Sequence, residues 1–260
     1  MIRLLGIVIL LIVLLVLNLV NPKFMVQENF SNDYFHSVVD KVYVINMDHD
    51  TDRLKHIKYQ LDKFNLKFQR VPGVNGKKVY PKYKNKTSLR PGAFGCLLSH
   101  TNVIKDAIQN NYENILVLED DAILHQNFLQ EFETKYKFIK NKEKDIEMIY
   151  LGCSQKHNWK DLDLKEHYYT TKKNDGTFAM LINKKIFSKI LQLYEKMNLP
   201  SDRVFFNHIQ PNKKCFTMHP NIITANVAEY SNTEDLTLDL EGYLTNNKIN
   251  KNDYLFSKNL

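Results

Sequence analysis

The chain has 260 residues, 43% of them hydrophobic and 25% charged, with a formal net charge of +7. That length suits one large domain, or one domain with an appendage, and is enough for a sizeable core; the composition is that of an ordinary globular protein. Basic residues are interleaved with acids, so a stretch such as Lys137–Lys144 reads as a solvated helix end. No nucleic-acid-binding motif accompanies it, and no nucleic-acid partner is expected, although a mild positive field suits an anionic nucleotide.

Leu4 to Val20 is almost wholly apolar, broken only by Gly6 and Asn18, and as a helix it would span about 25 Å. The residues from Val16 to Pro22 contain no Ala-x-Ala-like cleavage site, which favours an uncleaved signal anchor over a cleaved signal peptide. Arg3 and the terminal amine face only Lys23 across the run, and the orientation expected is a short cytoplasmic tail with a lumenal or external main domain. The organisation read from the sequence is a transmembrane signal anchor at 1–24, a polar stalk at 25–40, a main domain at 41–245 and a polar, poorly ordered tail at 246–260. Asn29-Phe-Ser31 and Asn85-Lys-Thr87 fit the glycosylation pattern, which matters for a lumenal domain.

Val42-Tyr-Val-Ile-Asn46 reads as a strand. Leu54, Ile57, Leu61 and Phe64 then recur at helical spacing, with Asp50, Thr51 or Asp52 available as a cap. Phe68 to Val71 is a second strand closed by Pro72-Gly73. Asn75 to Leu89 has no periodicity and reads as a long loop. Pro91-Gly92 opens a helix with Leu97, Ile104 and Ile108 on one face, followed by a strand from Ile115. Further strands are expected at Met148 to Leu151, Gly176 to Ile182 and Lys214 to Met218, with a helix between Lys184 and Met197. Alternating strands and helices argue for an α/β fold with a mostly parallel sheet flanked by helices.

Ile115-Leu-Val-Leu-Glu-Asp-Asp-Ala122 is the most informative stretch. A buried apolar strand stops at three consecutive carboxylates, which repel one another unless a cation joins them, and hard divalent ions prefer oxygen ligands. Alternation along a strand would put Glu119 and Asp121 on one face and Asp120 on the other. The bland alternative is a solvated strand end. Cys96, Cys153 and Cys215 are an odd number with no paired spacing and build neither a zinc site nor a disulfide framework; at most one bridge is possible. Three segments follow strands: Asn46 with the loop to Arg53, the acids 119–121, and Gly152-Cys-Ser154. In a parallel sheet such strand ends gather ligands, and their convergence points to an anionic-ligand cleft.

In order, Val42-Tyr-Val-Ile-Asn-Met-Asp-His-Asp-Thr-Asp-Arg53, Pro91-Gly-Ala-Phe-Gly-Cys-Leu-Leu-Ser-His100 and Ile115–Ala122 resemble the motifs of glycosyltransferase family 25. That family includes lipooligosaccharide galactosyl- and glucosyltransferases and the collagen hydroxylysine galactosyltransferases. Weaker echoes are Ile149-Tyr-Leu-Gly152, Gly176-Thr-Phe-Ala-Met-Leu-Ile182 and Pro200-Ser-Asp202. The resemblance covers roughly Lys41 to Ser231. It departs where relatives have Gly-Thr-x-Gly-Tyr and this chain has Gly176-Thr-Phe-Ala-Met180, and where Arg203 replaces an aromatic residue.

The resemblance implies a GT-A-like, Rossmann-like fold and a UDP-sugar-dependent hexosyltransferase moving galactose or glucose to a hydroxyl on a glycan, lipooligosaccharide, glycolipid or hydroxylysine. It implies inversion at the anomeric centre and a Mn²⁺ or Mg²⁺ cofactor. On that reading Asp121 is the foremost metal ligand, with Glu119 beside it and His219 as a late metal or phosphate contact. Asn46 and Arg53 hold the nucleotide, with a surface ion pair to Asp50 or Asp52 as the plain alternative for Arg53. Ser99 and His100 contact phosphate or sugar, and Glu119 or Asp120 lies nearer the ribose. Asp202 is the base that takes the acceptor proton, or else a helix N-cap. Two other classes stay open: an inactive member retained as a lumenal binding or adhesion protein, and a metal-dependent phosphoesterase.

Overall fold

The computed structural model describes residues 32–154, 162–227 and 239–256. The expected anchor at 1–24 and half of the stalk lie outside the described residues. Among the described residues, no helix is long and apolar enough to cross a membrane.

The elements, in chain order, are β1 (Lys41–Asn46), α1 (Thr51–Lys63), β2 (Gln69–Pro72), α2 (Gly76–Val79), α3 (Pro91–Gln109), β3 (Asn114–Glu119), β4 (Ala122–Leu124), α4 (Phe128–Lys142) and β5 (Met148–Tyr150). There follow β6 (Tyr168–Thr170), β7 (Ala179–Asn183), α5 (Phe187–Tyr194), α6 (Ser201–Val204), β8 (Cys215–Met218), β9 (Ile223–Ala225) and α7 (Leu240–Asn246). A seven-stranded sheet has the order β2-β1-β3-β7-β5-β8-β6, and β4 pairs with β9 in a separate ribbon. β1 runs parallel to β2 and β3, β5 runs parallel to β8, and β7 and β6 are antiparallel to their neighbours. Five strands therefore share one direction and two oppose it: the sheet is mixed, with a parallel majority.

Alternation along the strands divides the core between the two faces. Val42, Val44, Leu116, Leu118, Ile149 and Leu181 pack with Ile57 and Leu61 of α1 and with Phe128, Phe132 and Ile139 of α4. Tyr43, Ile115, Val117, Met148, Tyr150 and Met180 pack with Phe94, Leu97 and Ile104 of α3 and with Ile190 and Tyr194 of α5. Because both faces are covered, the central strands read as continuous apolar runs rather than alternating ones. The chain leaves β1 towards β2 on one side and returns through α3 to β3 on the other, which opens a crevice at the carboxyl ends of β1 and β3.

Three expectations are corrected. Residues 75–89 are not all loop: the Asn75 side chain accepts a hydrogen bond from the Lys78 amide and caps α2, and Tyr80–Lys82 forms a 3-10 turn. Tyr80 and Tyr83 anchor this segment by packing against Phe94. The apolar face of α3 runs through Phe94, Leu97, Ile104 and Ala107, while Ile108 is exposed. Residues 247–256 of the tail are docked: Ile249 and Tyr254 are buried with Ile123 and Leu244, and the Leu255 amide donates to the Leu124 carbonyl.

Candidate functional site

The register between β1 and β3 places Ile45 opposite Glu119, so Asn46 and Asp120 emerge side by side from adjacent strand ends. The Asn46 amide donates to the Asp120 carboxylate at 2.7 Å, and its oxygen accepts from the Arg70 guanidinium at 2.8 Å. Arg53, in the first turn of α1, donates to the other Asp120 oxygen at 2.8 Å and stands 4.0 Å from Asp121. Both members of the Arg53–Asp120 pair are largely buried, with side chains 15% and 7% exposed. Strand pairing ends at Glu119 and the two aspartates form a turn, so strand alternation does not extend to Asp121. All three acids line one cleft of about 350 Å³.

The first half of α3 makes a second wall. Ser99 donates to the Gly95 carbonyl and accepts from the Val74 amide, both at 2.8 Å, strapping residues 73–76 onto the helix. The strap needs close backbone approach: a Cβ on Gly95 would stand 2.4 Å from the Val74 oxygen, and one on Gly76 would stand 1.7 Å from the Pro91 oxygen. His100, buried one turn further along, sits 3.1 Å from Glu119 through Nε2. The Thr177 hydroxyl donates to the same Glu119 oxygen at 2.5 Å. Gly176, at φ +91°, supplies the left-handed step just before Thr177.

Electrostatics differ among the acids. Burial pushes the Asp120 carboxyl up to about 6 against the pull of Arg53 and Asn46. Burial also acts to raise Glu119, but hydrogen bonds and charge from His100, the Thr177 hydroxyl and Arg53 outweigh it and leave the group below its usual value. Asp202 is raised by burial and by the nearby charge of Asp175, and it feels Glu119 as well. The Cys96 thiol is pushed well up by burial, then by Glu119 and Asp202.

Of the residues singled out from the sequence, Asn46, Arg53, Ser99, His100, Glu119, Asp120 and Asp121 line this cleft. Asp202 is not among the lining residues but lies near enough to Cys96 and Glu119 to act on both electrostatically. It is not the N-cap, which is Pro200; its carboxylate accepts from the Arg203 amide in the first turn of α6. His219 is not among the residues that line this cleft. It follows β8 and packs edge-on against Tyr169, and burial, then the charges of Lys248 and Lys135, lower its pKa. Sequence reasoning gave no role to Arg70, Cys96, Lys77 or Thr177. Arg70 is the one charged residue in the expected strand at 68–71, a signal that was available. Lys77 sits in a segment without periodicity and gave none. The cleft thus joins hard oxygen donors to cationic side chains, an arrangement that can hold a phosphorylated ligand through a bridging cation.

The sequence profile described as "Glycosyltransferase family 25 (LPS biosynthesis protein)" matches residues 39–205. "Procollagen galactosyltransferase 1-B" of Xenopus laevis is 33% identical over 128 residues, covering 44% of this chain and 21% of that protein. "Procollagen lysyl hydroxylase and glycosyltransferase" of Acanthamoeba polyphaga mimivirus is 23% identical over 252 residues, covering 82% of this chain and 28% of that protein. "Inactive glycosyltransferase 25 family member 3" of Homo sapiens is 25% identical over 131 residues, covering 45% and 22%. The chain spans only 21% to 28% of the length of these three relatives.

Proposed function

The chain belongs to glycosyltransferase family 25, and on that premise we propose that it transfers a hexose, galactose or glucose, from a UDP-sugar to a hydroxyl acceptor. The observation that carries the reading is the junction of β1 and β3, where Asn46, Arg53 and Asp120 interlock beside Asp121 and Glu119 in one polar cleft. On this reading the mixed sheet, with its crevice at the ends of β1 and β3, is a GT-A-like fold. The acceptor class is a hydroxyl on a glycan, a glycolipid or hydroxylysine; two of the relatives named above are procollagen-modifying by name.

The donor set fits Mn²⁺ or Mg²⁺. Asp121 and Glu119 offer hard oxygen ligands, and since His100 and Thr177 both bond Oε1 of Glu119, its Oε2 is the oxygen to offer. A divalent ion held there would neutralise the departing nucleoside diphosphate as a Lewis acid. Asp120 holds Arg53 in place, 4.0 Å from Asp121, where the guanidinium would add positive charge beside a bound diphosphate. Asp202 takes the acceptor hydroxyl proton; its raised pKa makes it a better base than an exposed aspartate. The apolar run from Leu4 to Val20 anchors the protein in a membrane as a single-pass segment, with the catalytic domain lumenal or external.

The test is a panel of UDP-sugars with Mn²⁺ or Mg²⁺, followed by acceptor trials with the sugar that binds. Asp121→Ala should lower turnover by at least about 100-fold with the fold intact, and unchanged turnover would remove the metal role. Asp202→Asn should lower kcat by roughly 10²–10⁴ with donor affinity retained; the opposite pattern would remove it as the base. An inactive binding protein is the second reading, motivated by the altered segment Gly176-Thr-Phe-Ala-Met180. The contact that Thr177 of this segment makes to Glu119 weighs against it, and sustained transfer would exclude it.

A further inference from the structure

Cys96 and His100 stand at i and i+4 on α3 and project from the same face, while Glu119 reaches the same point from the end of β3. The Cys96 sulfur, a His100 ring nitrogen and a Glu119 carboxylate oxygen all lie within 4.8 Å of one another. From this juxtaposition we infer that Cys96, His100 and Glu119 form a three-ligand site for a borderline divalent transition-metal ion, zinc being the fitting one. Its sulfur–nitrogen–oxygen donor set differs from the all-oxygen set at Asp121, and Glu119 is common to both.

Three considerations carry the inference. Tetrahedral zinc with bonds of about 2.0–2.3 Å sets ligand atoms roughly 3.3–3.7 Å apart. His100 Nε2 and Glu119 Oε1, at 3.1 Å, already have close to that spacing, so Cys96 has to swing in by at most about 1.5 Å. The Thr177 hydroxyl on Glu119 supplies the outer hydrogen bond that commonly fixes a metal-binding carboxylate. All three residues line the cleft, so the fourth position of the tetrahedron opens into it. On binding, the thiol gives its proton to solvent and a metal–sulfur bond replaces the S–H bond; the Nε2 proton that His100 donates to Glu119 also leaves, the ring keeping its proton on Nδ1.

A thiolate–imidazole–carboxylate set holds zinc far more tightly than manganese, because affinity rises along the first-row series and soft sulfur discriminates against hard ions. Zinc on Oε1 therefore draws charge from the carboxylate whose Oε2 belongs to the oxygen-donor set, sets a second cation beside that set, and so lowers turnover. The metal site stands without the transferase reading; its inhibitory effect on turnover rests on that reading.

Cobalt(II) is the probe, added to the full chain after chelator treatment. Binding should give a sulfur-to-cobalt charge-transfer band in the near ultraviolet with the strong visible bands of tetrahedral cobalt, and zinc should displace both. Cys96→Ser should abolish the charge-transfer band and weaken binding by roughly 100-fold or more, since even loss of an outer-sphere contact costs 10–100-fold. Cys153→Ser and Cys215→Ser should leave the band unchanged, and melting without metal identifies any variant that fails to fold; Cys96→Ala is the second variant for that case. Absence of the band in the parent, or its persistence in both Cys96 variants, overturns the site. A protein that shows the band but transfers no sugar keeps the site and loses the transferase reading. One that transfers sugar with no band does the reverse.

Discussion

Asp120 accepts from both Arg53 and Asn46 at the mouth of the sheet, and removing it leaves a largely buried guanidinium without that partner. Asp120→Ala should therefore destabilise the fold by roughly 3–5 kcal/mol, read as a lowered urea midpoint at unchanged slope. His219 governs a different response. Burial, then Lys248 and Lys135, lower its pKa from 6.5 to about 4. Between those values the unfolded chain binds a proton that the folded chain does not, so this contribution is complete above about pH 6.5 and is lost as pH falls towards 4. His219→Gln should flatten that part of a melting-temperature profile; an unchanged slope would show that the ring does not control it. At this scale the sequence exposed the charged residues but not their partners. Arg53 next to Asp50 and Asp52 reads as a local ion pair until the fold brings Asp120 to it from 67 positions away.

Secondary-structure elements were legible wherever burial is two-sided or periodicity is strong. β1, β3 and β7 are continuous apolar runs because helices cover both of their faces. α4 is an exception: only its lysine-rich end reads as helical in the sequence analysis, although Phe128, Leu129, Phe132 and Ile139 recur at helical spacing. β4, β6 and β9 have three residues each, too short for a period; β5 is as short, but the apolar run Met148-Ile-Tyr-Leu151 extends past it. The contact between residues 73–76 and α3 depends on glycine rather than on a side-chain pattern. Gly95→Ala would drive a methyl group to 2.4 Å from the Val74 oxygen and 2.8 Å from the Gly76 nitrogen, both backbone atoms. The expected outcome is about 1–3 kcal/mol of destabilisation and, on the proposed function, weakened nucleotide binding, since the displaced segment is a wall of the cleft. Calorimetric melting with and without UDP checks it, and unaltered behaviour in both would refute the close-packing account.

Across the whole molecule, the C-terminal segment closes the architecture. Tyr254 is buried, packs edge-on against His125 and donates its hydroxyl to the Asn221 carbonyl, tying the tail to the β4–β9 ribbon. The Leu255 carbonyl faces the His56 ring of α1 at 3.1 Å. Tyr254→Ala should cost about 3 kcal/mol and lower Tm by roughly 6–12 °C; a shift within 1 °C or so would mean that the tail is dispensable.

The sequence by itself determined the class of fold, the strand that ends in carboxylates and the order of motifs that place the chain in its family. These follow from local properties: hydrophobic period, turn residues and the identity of neighbours along the chain. Only the tertiary structure decided that Asp120 pairs with Arg53 and Asn46, that His219 is not among the residues lining the cleft, that residues 247–256 are docked, and that Cys96 meets His100 and Glu119. Each of those outcomes is a distance between residues remote in sequence, or between faces of different elements. Such distances are set by strand register and close packing, which no single segment encodes.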